Sequence, residues 1–246
     1  MTLALSSCTY SYRPWSPPVL NRLNYSLAPG LTILLGPNGA GKSTLLRLAA
    51  AVTYPRSGTV TYQGIPSHKK VYRAAVAWMP QQITSMSGLT AREQVAYTGW
   101  LKGMNKRDAW ESAAQALSRV DLSAQADIKT KRLSGGQLRR VGVASALVHN
   151  ARVLLLDEPT AGMDPKQRRI FRDILATLAD EVQVLLSTHD VADLAEECDQ
   201  VTVLDAGRII FTGDTQAFLA HAPAGTAPGR AAEAAYSVLS DTGAHL

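Results

Sequence analysis

The first residues whose types and spacing can do chemistry lie in the glycine-rich segment GPNGAGKS. It reads Gly36-x-x-x-x-Gly41-Lys42-Ser43 and follows the apolar run LTILL (31–35), with a helix expected to begin near Lys42. Glycines let successive backbone N–H groups turn inward as a nest for an anion. The helix N-terminus adds a positive dipole end, and the lysine adds a full charge. The pattern predicts a P-loop that binds nucleotide phosphates, with the Ser43 hydroxyl as a ligand of Mg²⁺. We assign the whole loop to this role: Gly36, Pro37, Asn38, Gly39, Ala40, Gly41, Lys42, Ser43 and Thr44.

Two adjacent acids, Asp157 and Glu158, end a second apolar run, VLLLD (153–157). Ligands gather at the C-terminal ends of parallel strands, where a carboxylate can hold Mg²⁺ through its water shell. An acid after a strand is more often a helix cap or a surface charge. Beside Asp157 and opposite the P-loop, however, Glu158 is predicted to be the general base that activates a water.

A second glycine-containing turn, LSGGQ (133–137), precedes another segment of helical composition. Ser134 offers a hydroxyl, and Gly135 and Gly136 expose backbone N–H groups at a helix start. This arrangement suits a phosphate. One chain therefore carries two phosphate-binding patterns, and a single nucleotide does not explain both.

Strands and helices must position these loops, and the pattern of apolar runs predicts where those strands and helices lie. The β-rich runs are LTILL (31–35), AVAWM (75–79), VLLL (153–156), VQVLLS (182–187) and VTVL (201–204). Such continuous runs, separated by helical patterns, predict a mostly parallel sheet covered on both faces. Strand-like pieces at 23–30 and 58–64 predict an antiparallel β flank. The fold class is thus α/β, a P-loop NTPase core with an inserted helical subdomain at about 84–150.

Composition limits the domain organisation and the class of protein. We expect one domain over residues 1–221, followed by a Pro/Gly/Ala-rich linker and a short C-terminal helix in 222–246, with a flexible end. No apolar run approaches the ~18 residues that span a bilayer. Cys8 and Cys198 form no CxxC pair, which favours a reducing, cytoplasmic location. The formal net charge is +5, and short basic clusters such as KTKR (129–132) indicate solvated faces, so we expect no nucleic-acid partner.

At LSGGQ the chain, from about residue 3 to 220, resembles the ATP-binding subunits of ABC transporters. The motifs stand in the order of that family, and the resemblance implies a role for each. They are Tyr12 in YSY for stacking on adenine, Gln81 in MPQQ as the Q-loop glutamine, LSGGQ (Ser134, Gly135, Gly136 and Gln137) as the signature, Asp164 in AGMD as the D-loop aspartate, and His189 in STHD as the switch histidine. Tyr10, two residues before Tyr12 and on the same side of a strand, stays an alternative for the adenine contact.

The resemblance also explains the second loop. In that family two ATP-binding domains face each other head to tail, and each ATP lies between the P-loop of one and the signature of the other. The loop at 133–137 would therefore hold the ATP of a second ATPase subunit, in a homodimer. Gln81 would sense the γ-phosphate and Mg²⁺, and His189 would keep Glu158 and the attacking water in register. The predicted metal ligands are Ser43, Gln81 and Asp157.

Further partners follow from the same resemblance. A transporter requires a separate transmembrane permease, whose cytoplasmic helices would dock beside the Gln81 loop and the segment 84–110. The chain would then be peripheral at the inner face of the membrane. Within that family, its sequence most resembles the ATPases of bacterial drug or peptide exporters. An ABC-type ATPase of a soluble machine, as in iron–sulfur cluster assembly, would share every motif and stays the alternative.

Two departures from the family pattern are small. The D-loop reads AGMD where SALD is common, but Asp164 is kept. The signature is followed by Leu138 before Arg139 and Arg140, a departure that we expect to matter little.

Overall fold

The computed structural model of the chain describes residues 2–191 and 198–243. These residues form ten strands, arranged in two sheets, and eight α-helices. The strands are β1 Leu3–Tyr10, β2 Leu20–Ser26, β3 Leu31–Leu35, β4 Ser57–Tyr62, β5 Ile65–Pro66, β6 Val76–Met79, β7 Val153–Asp157, β8 Gln183–Thr188, β9 Gln200–Asp205 and β10 Arg208–Asp214. The helices are α1 Lys42–Ala49, α2 Lys70–Ala75, α3 Ala91–Leu101, α4 Lys106–Arg119, α5 Gly135–Leu147, α6 Pro165–Ala179, α7 Thr215–Leu219 and α8 Ala231–Gly243.

The six-stranded sheet is the centre of the molecule, with the strand order β10-β9-β3-β8-β7-β6. All neighbouring strands are parallel except β10, which pairs antiparallel with β9. The strands β3 and β7 are buried along their whole length because apolar layers cover both faces. This arrangement confirms the predicted α/β fold class. β10 was not predicted from the sequence, because its apolar run covers only the three residues 209–211 and the strand lies half-exposed at the edge of the sheet.

Alternate residues of the central strands enter two separate apolar layers. Leu154 and Leu156 of β7 pack with the layer that contains α5 and α6. Val153 and Leu155 pack on the opposite face, in the layer that contains α1 and the antiparallel sheet. This period of two is the pattern of a strand buried on both sides. The antiparallel sheet, with the order β2-β1-β4-β5, is the predicted β flank.

The parallel strands end at one edge of the sheet, and this edge carries the loops of interest. β3 leads into the P-loop and α1, β7 ends at Asp157, and β8 is followed by His189. Because these three strands lie side by side, their C-terminal ends bring together residues more than 100 positions apart.

Three helices, α3, α4 and α5, occupy the segment for which the sequence predicts a helical subdomain, and they pack on one another. α3 and α5 both begin with a capping box, in which Thr90 and Ser134 are the N-cap residues. The limits of this subdomain and of the domain at 1–221 stay predictions.

The C-terminal segment differs from the expected flexible end. Helix α8 packs on α7, β9 and β10, and Ala235 is fully buried. Ala232, Ala235 and Leu239 follow at spacings of three and four residues, so they lie on one face of the helix and join the apolar layer there. Residues 244–246, the last of the predicted tail, lie outside the described residues.

Candidate functional site

The P-loop wraps the C-terminal end of β3 and borders a cavity of about 510 Å³. Gly36 is required by packing, since a Cβ there would lie 2.2 Å from the carbonyl oxygen of Leu204. Gly41 is the N-cap of α1 with a φ of 107°, a left-handed conformation that favours glycine. The cavity is lined by Tyr12, Val19, Pro37, Asn38, Gly39, Gly41, Lys42, Ser43, Thr44, Gln81, Glu158 and His189. Except for Val19, these are residues that the sequence predicted for the site.

Lys42 is held in place by the loop that it serves. Its ammonium donates to the carbonyl oxygens of Gly36 at 2.7 Å and Pro37 at 3.1 Å, and the residue is only 5% exposed. Burial lowers the pKa of Lys42, while the charges of Glu158 and Asp157 oppose that shift. The result is a cation fixed at the floor of the cavity, where phosphate oxygens can replace the carbonyl contacts.

Asp157 and Ser43 meet behind the loop, as the predicted metal site requires. The Ser43 hydroxyl donates to Oδ1 of Asp157 at 2.9 Å, and the Asp157 side chain is buried. A carboxylate and a hydroxyl at one point beside a phosphate cavity are the hard oxygen ligands that Mg²⁺ prefers. The residues present therefore fit a magnesium ion.

Ser187 also contacts this carboxylate, and the sequence analysis missed it. It lies opposite Asp157 in the β7–β8 pairing, and its hydroxyl donates to the same oxygen at 2.9 Å. Its oxygen in turn accepts from the backbone N–H of Glu158 at 3.1 Å. The available signal was a polar residue directly after the apolar residues Val184, Leu185 and Leu186.

Glu158, Gln81 and His189 form one cluster at the mouth of the cavity. The Gln81 amide donates to Oε2 of Glu158 at 3.0 Å, and Nδ1 of His189 lies 3.2 Å from Oε1. The Glu158 side chain is 14% exposed, whereas His189 is 53% exposed. The backbone of Glu158 has a φ of 45°, in the left-handed region that costs a non-glycine residue free energy. The chain thus fixes a carboxylate at the solvent side of the P-loop, the position needed to activate a water.

Tyr12 rather than Tyr10 lies at the cavity. β1 ends at Tyr10, so Tyr12 is beyond the strand, and the expectation that both share one face of it is wrong. The Tyr12 hydroxyl bonds with that of Thr44 at 2.8 Å, and the ring is 57% exposed at the rim. Tyr10 is directed to Thr53 instead and meets Tyr12 edge to face. The stacking role of Tyr12 stays a prediction.

The signature loop is built differently from the P-loop. Ser134 caps α5: its oxygen accepts from the N–H of Gln137 at 3.2 Å, and the Gln137 side chain accepts from the N–H of Ser134 at 2.9 Å. A Cβ on Gly136 would lie 2.7 Å from the side-chain oxygen of Gln167, whereas a Cβ on Gly135 would meet nothing within 4 Å. Among the described residues that line the P-loop cavity, none comes from 133–137.

The predicted D-loop residue, Asp164, is the N-cap of α6. Its carboxylate accepts from the N–H of Gln167 at 2.9 Å. Gln167 is also the residue beside Gly136, so the beginnings of α5 and α6 lie close together. The nucleotide-binding role of Asp164 stays a prediction.

Arg139, in the segment that follows the signature, contacts three other segments of the chain. Its guanidinium donates to the carbonyl oxygens of Gln81 at 3.2 Å, Glu158 at 3.2 Å and Ala161 at 2.5 Å. The neighbouring Arg140 donates instead to Asp121 and Val120 within the helical segment. The sequence spacing gave no signal for the Arg139 contacts, because its partners lie 19 to 58 residues away.

Comparison with known proteins agrees with these motifs. The family described as ABC transporter matches residues 20–161. An uncharacterised ABC transporter ATP-binding protein of Bacillus subtilis, YxlF, is 38% identical over 183 residues, which cover 74% of this chain and 61% of that protein. A Nod factor export ATP-binding protein I of Sinorhizobium fredii is 35% identical over 205 residues, or 82% of this chain and 60% of that protein. The chain thus spans about three fifths of the length of these curated relatives.

Among solved structures, the chain is similar to a dimeric ATP-binding cassette in a post-hydrolysis state bound to ADP and Pi. The TM-score is 0.76 at 26% identity, and the match covers 87% of this chain and 98% of that one. No helix in the described part of the chain is both long enough and apolar enough to cross a bilayer.

Proposed function

The chain belongs to the ABC transporter family as an ATP-binding domain, and we propose from this that it hydrolyses ATP to drive a separate membrane subunit. One observation carries the proposal. Glu158, held by contacts to Gln81 and His189, stands at the mouth of the cavity whose floor is the P-loop. The cluster supplies a base beside a phosphate-binding loop, which is the arrangement that hydrolysis of a terminal phosphate needs.

Each residue of the site has a task in this reaction. Lys42 and the N–H groups of the P-loop bind the β- and γ-phosphates. Ser43 and Asp157, with Gln81, would hold Mg²⁺, which neutralises phosphate charge. Glu158 orients the attacking water and accepts its proton, and the contact with His189 keeps that carboxylate aimed at the γ-phosphate. The Tyr12 ring stacks on the base at the rim of the cavity.

The active form in this proposal is a head-to-tail homodimer. The signature loop does not line the cavity of its own chain within the described residues. Gly135 is exposed, and a Cβ added there would meet nothing within 4 Å in the described structure. In this proposal, the open space at Gly135 leaves room for the γ-phosphate of ATP bound to a second copy. Asp164, beside the same helix start, would contact that copy, and the similar cassette with ADP and Pi was solved as a dimer.

The partner in the membrane would be a permease, and the direction would be export. A cavity of about 330 Å³ beside the Gln81 loop is lined by residues of β6, the segment 80–86, α3 and α5, and we place the permease contact there. Export is supported by the printed name of the Nod factor export relatives. In this assembly the chain would sit in the cytoplasm at the inner face of the membrane.

A pull-down tests the transport assignment. Tagged Glu158→Gln protein, incubated with ATP and Mg²⁺ in its native cells' lysate, is recovered separately from the membrane and soluble fractions. We expect a polytopic membrane protein to be recovered from the membrane fraction, and its sequence bears on the direction of transport. Recovery with soluble proteins alone would contradict the transporter and favour an ABC-type ATPase of a soluble machine, such as iron–sulfur cluster assembly.

A further inference from the structure

Arg139 joins three functional segments through their backbones. Its Nη1 donates to the carbonyl oxygens of Gln81 and Glu158, both at 3.2 Å, and its Nη2 donates to that of Ala161 at 2.5 Å. The residue is half-buried in α5, one helical turn after Gly135. The loop of Gln81, the segment after β7 and the signature helix therefore meet at one guanidinium.

Only arginine has the geometry for this junction. The guanidinium is a rigid planar fork with five N–H donors, so it can bond with three carbonyl oxygens that approach from different directions. A lysine ammonium carries the same charge, but it has three donors on a flexible stem and no fixed fork. The contacts are to backbone oxygens, so they hold the backbone in position and do not neutralise a charged side chain.

The backbone of Glu158 needs such fixing. Its φ of 45° lies in a region where a non-glycine residue persists only if its surroundings hold it. The N–H of Glu158 donates to the carbonyl and the hydroxyl of Ser187, each at 3.1 Å. Arg139 binds the carbonyl oxygen of the same residue. Glu158 is thus clamped at both ends, by β8 on one side and by α5 on the other.

We propose that Arg139 is a positioning residue for ATP hydrolysis, which holds Glu158 and the Gln81 loop in the arrangement where the Gln81 amide contacts the Glu158 carboxylate. This inference rests on the proposed ATPase function. Arg139 is not among the residues that line the P-loop cavity of its own chain, so it does not contact the nucleotide bound there. Its loss should misplace the base while leaving the phosphate-binding loop intact.

The test compares three variants with the wild-type protein. Arg139→Met keeps the length of the stem and removes every donor, and Arg139→Lys keeps the charge without the fork. Arg107→Met is the matched control, because Arg107 lies on the surface of α4 and pairs only with Glu111 among the described contacts. For each protein, kcat and KM are measured for ATP hydrolysis, the Kd is measured with a fluorescent ATP analogue, and Tm is recorded.

For Arg139→Met we expect kcat to fall on the order of 10²-fold, the loss that follows a displacement of about 1 Å in a catalytic group. The Kd should stay within about twofold of wild type, because Lys42 and the P-loop are unchanged. Arg139→Lys should recover part of kcat, and Arg107→Met should match wild type.

Three results would overturn the proposal. They are a wild-type kcat in Arg139→Met, a weaker nucleotide affinity with kcat unchanged, and a loss of activity that follows the fall in Tm and disappears at lower temperature. If Arg139→Met does not fold, Arg139→Lys with an unchanged kcat would overturn it as well. Absence of hydrolysis by the wild-type protein would be a different failure, because it would remove the proposed function and the positioning role with it.

Discussion

The P-loop and the signature loop look alike in sequence but are constrained differently in the fold. Each places glycines at or just before the start of a helix. In the P-loop, Gly36 has no room for a Cβ and Gly41 takes a left-handed φ of 107°. In the signature loop, Gly135 is exposed, and a Cβ there would meet nothing within 4 Å in the described structure.

In the proposed dimer, this difference separates glycines that the fold of one chain requires from a glycine that faces the second copy. The P-loop glycines can be explained by the chain alone, through the packing against Leu204 and the turn into α1. Gly136 has an internal neighbour as well, the Gln167 side chain. Gly135 has no such neighbour in the described structure, and in the proposed dimer this open space is where the ATP bound to the other copy would lie.

The largest expected effect is on the rate of ATP hydrolysis, and it tests whether the base lies at the P-loop cavity. Glu158→Gln keeps the size of the side chain but removes the base. We expect kcat to fall on the order of 10²- to 10⁴-fold, as for the loss of a general base. ATP binding should persist, and ATP-bound dimers should accumulate because they no longer reopen. Steady-state phosphate release measures the rate, and near-wild-type turnover would exclude Glu158 as the base.

A pair of glycine substitutions tests the comparison itself. Gly36→Ala should lower the free energy of unfolding by ~1–3 kcal/mol, the range for overpacking a well-filled site. Gly135→Ala should change it by less than ~1 kcal/mol, since the added methyl group enters open space. Urea denaturation of both variants without nucleotide gives the two values. Equal costs would mean that Gly135 is also constrained from within.

Tyr12→Ala sharpens the description of the cavity. Stacking of a base on an aromatic ring contributes ~1–3 kcal/mol, so the ATP affinity should fall roughly 5- to 150-fold. Tyr10→Ala is the control, because Tyr10 bonds with Thr53 and does not line the cavity. Titration with a fluorescent nucleotide measures both. A larger loss for Tyr10→Ala would move the adenine contact to that residue.

Ser134→Ala should have a small effect on the stability of the isolated chain. It removes the N-cap of α5, which costs roughly 1 kcal/mol in unfolding free energy. ATP binding by the monomer should be unchanged, whereas dimerisation should weaken. Calorimetric titration of the monomer is decisive here, because lost binding would show that the second loop acts within its own chain.

The sequence predicted those parts of the site that depend on local spacing. The P-loop, the acids after β7 and the strand that precedes His189 could all be read from short motifs between apolar runs. Arg139 and Ser187 could not, because their contacts depend on how α5 and β8 pack beside β7. The burial of α8 was missed for a related reason. Its face of Ala232, Ala235 and Leu239 is small and only becomes significant against β9 and β10.

The central claim, that the signature loop serves a second chain, is tested most directly by comparing two proteins. Glu158→Gln and the double variant Glu158→Gln/Gly135→Asp are run on size-exclusion chromatography with light scattering, in ATP and Mg²⁺, and each is titrated with nucleotide. We predict that the single variant has twice the mass of one chain, while the double variant stays a monomer with the same ATP affinity. A double variant that still dimerises, or that fails to bind ATP as a monomer, would contradict the account.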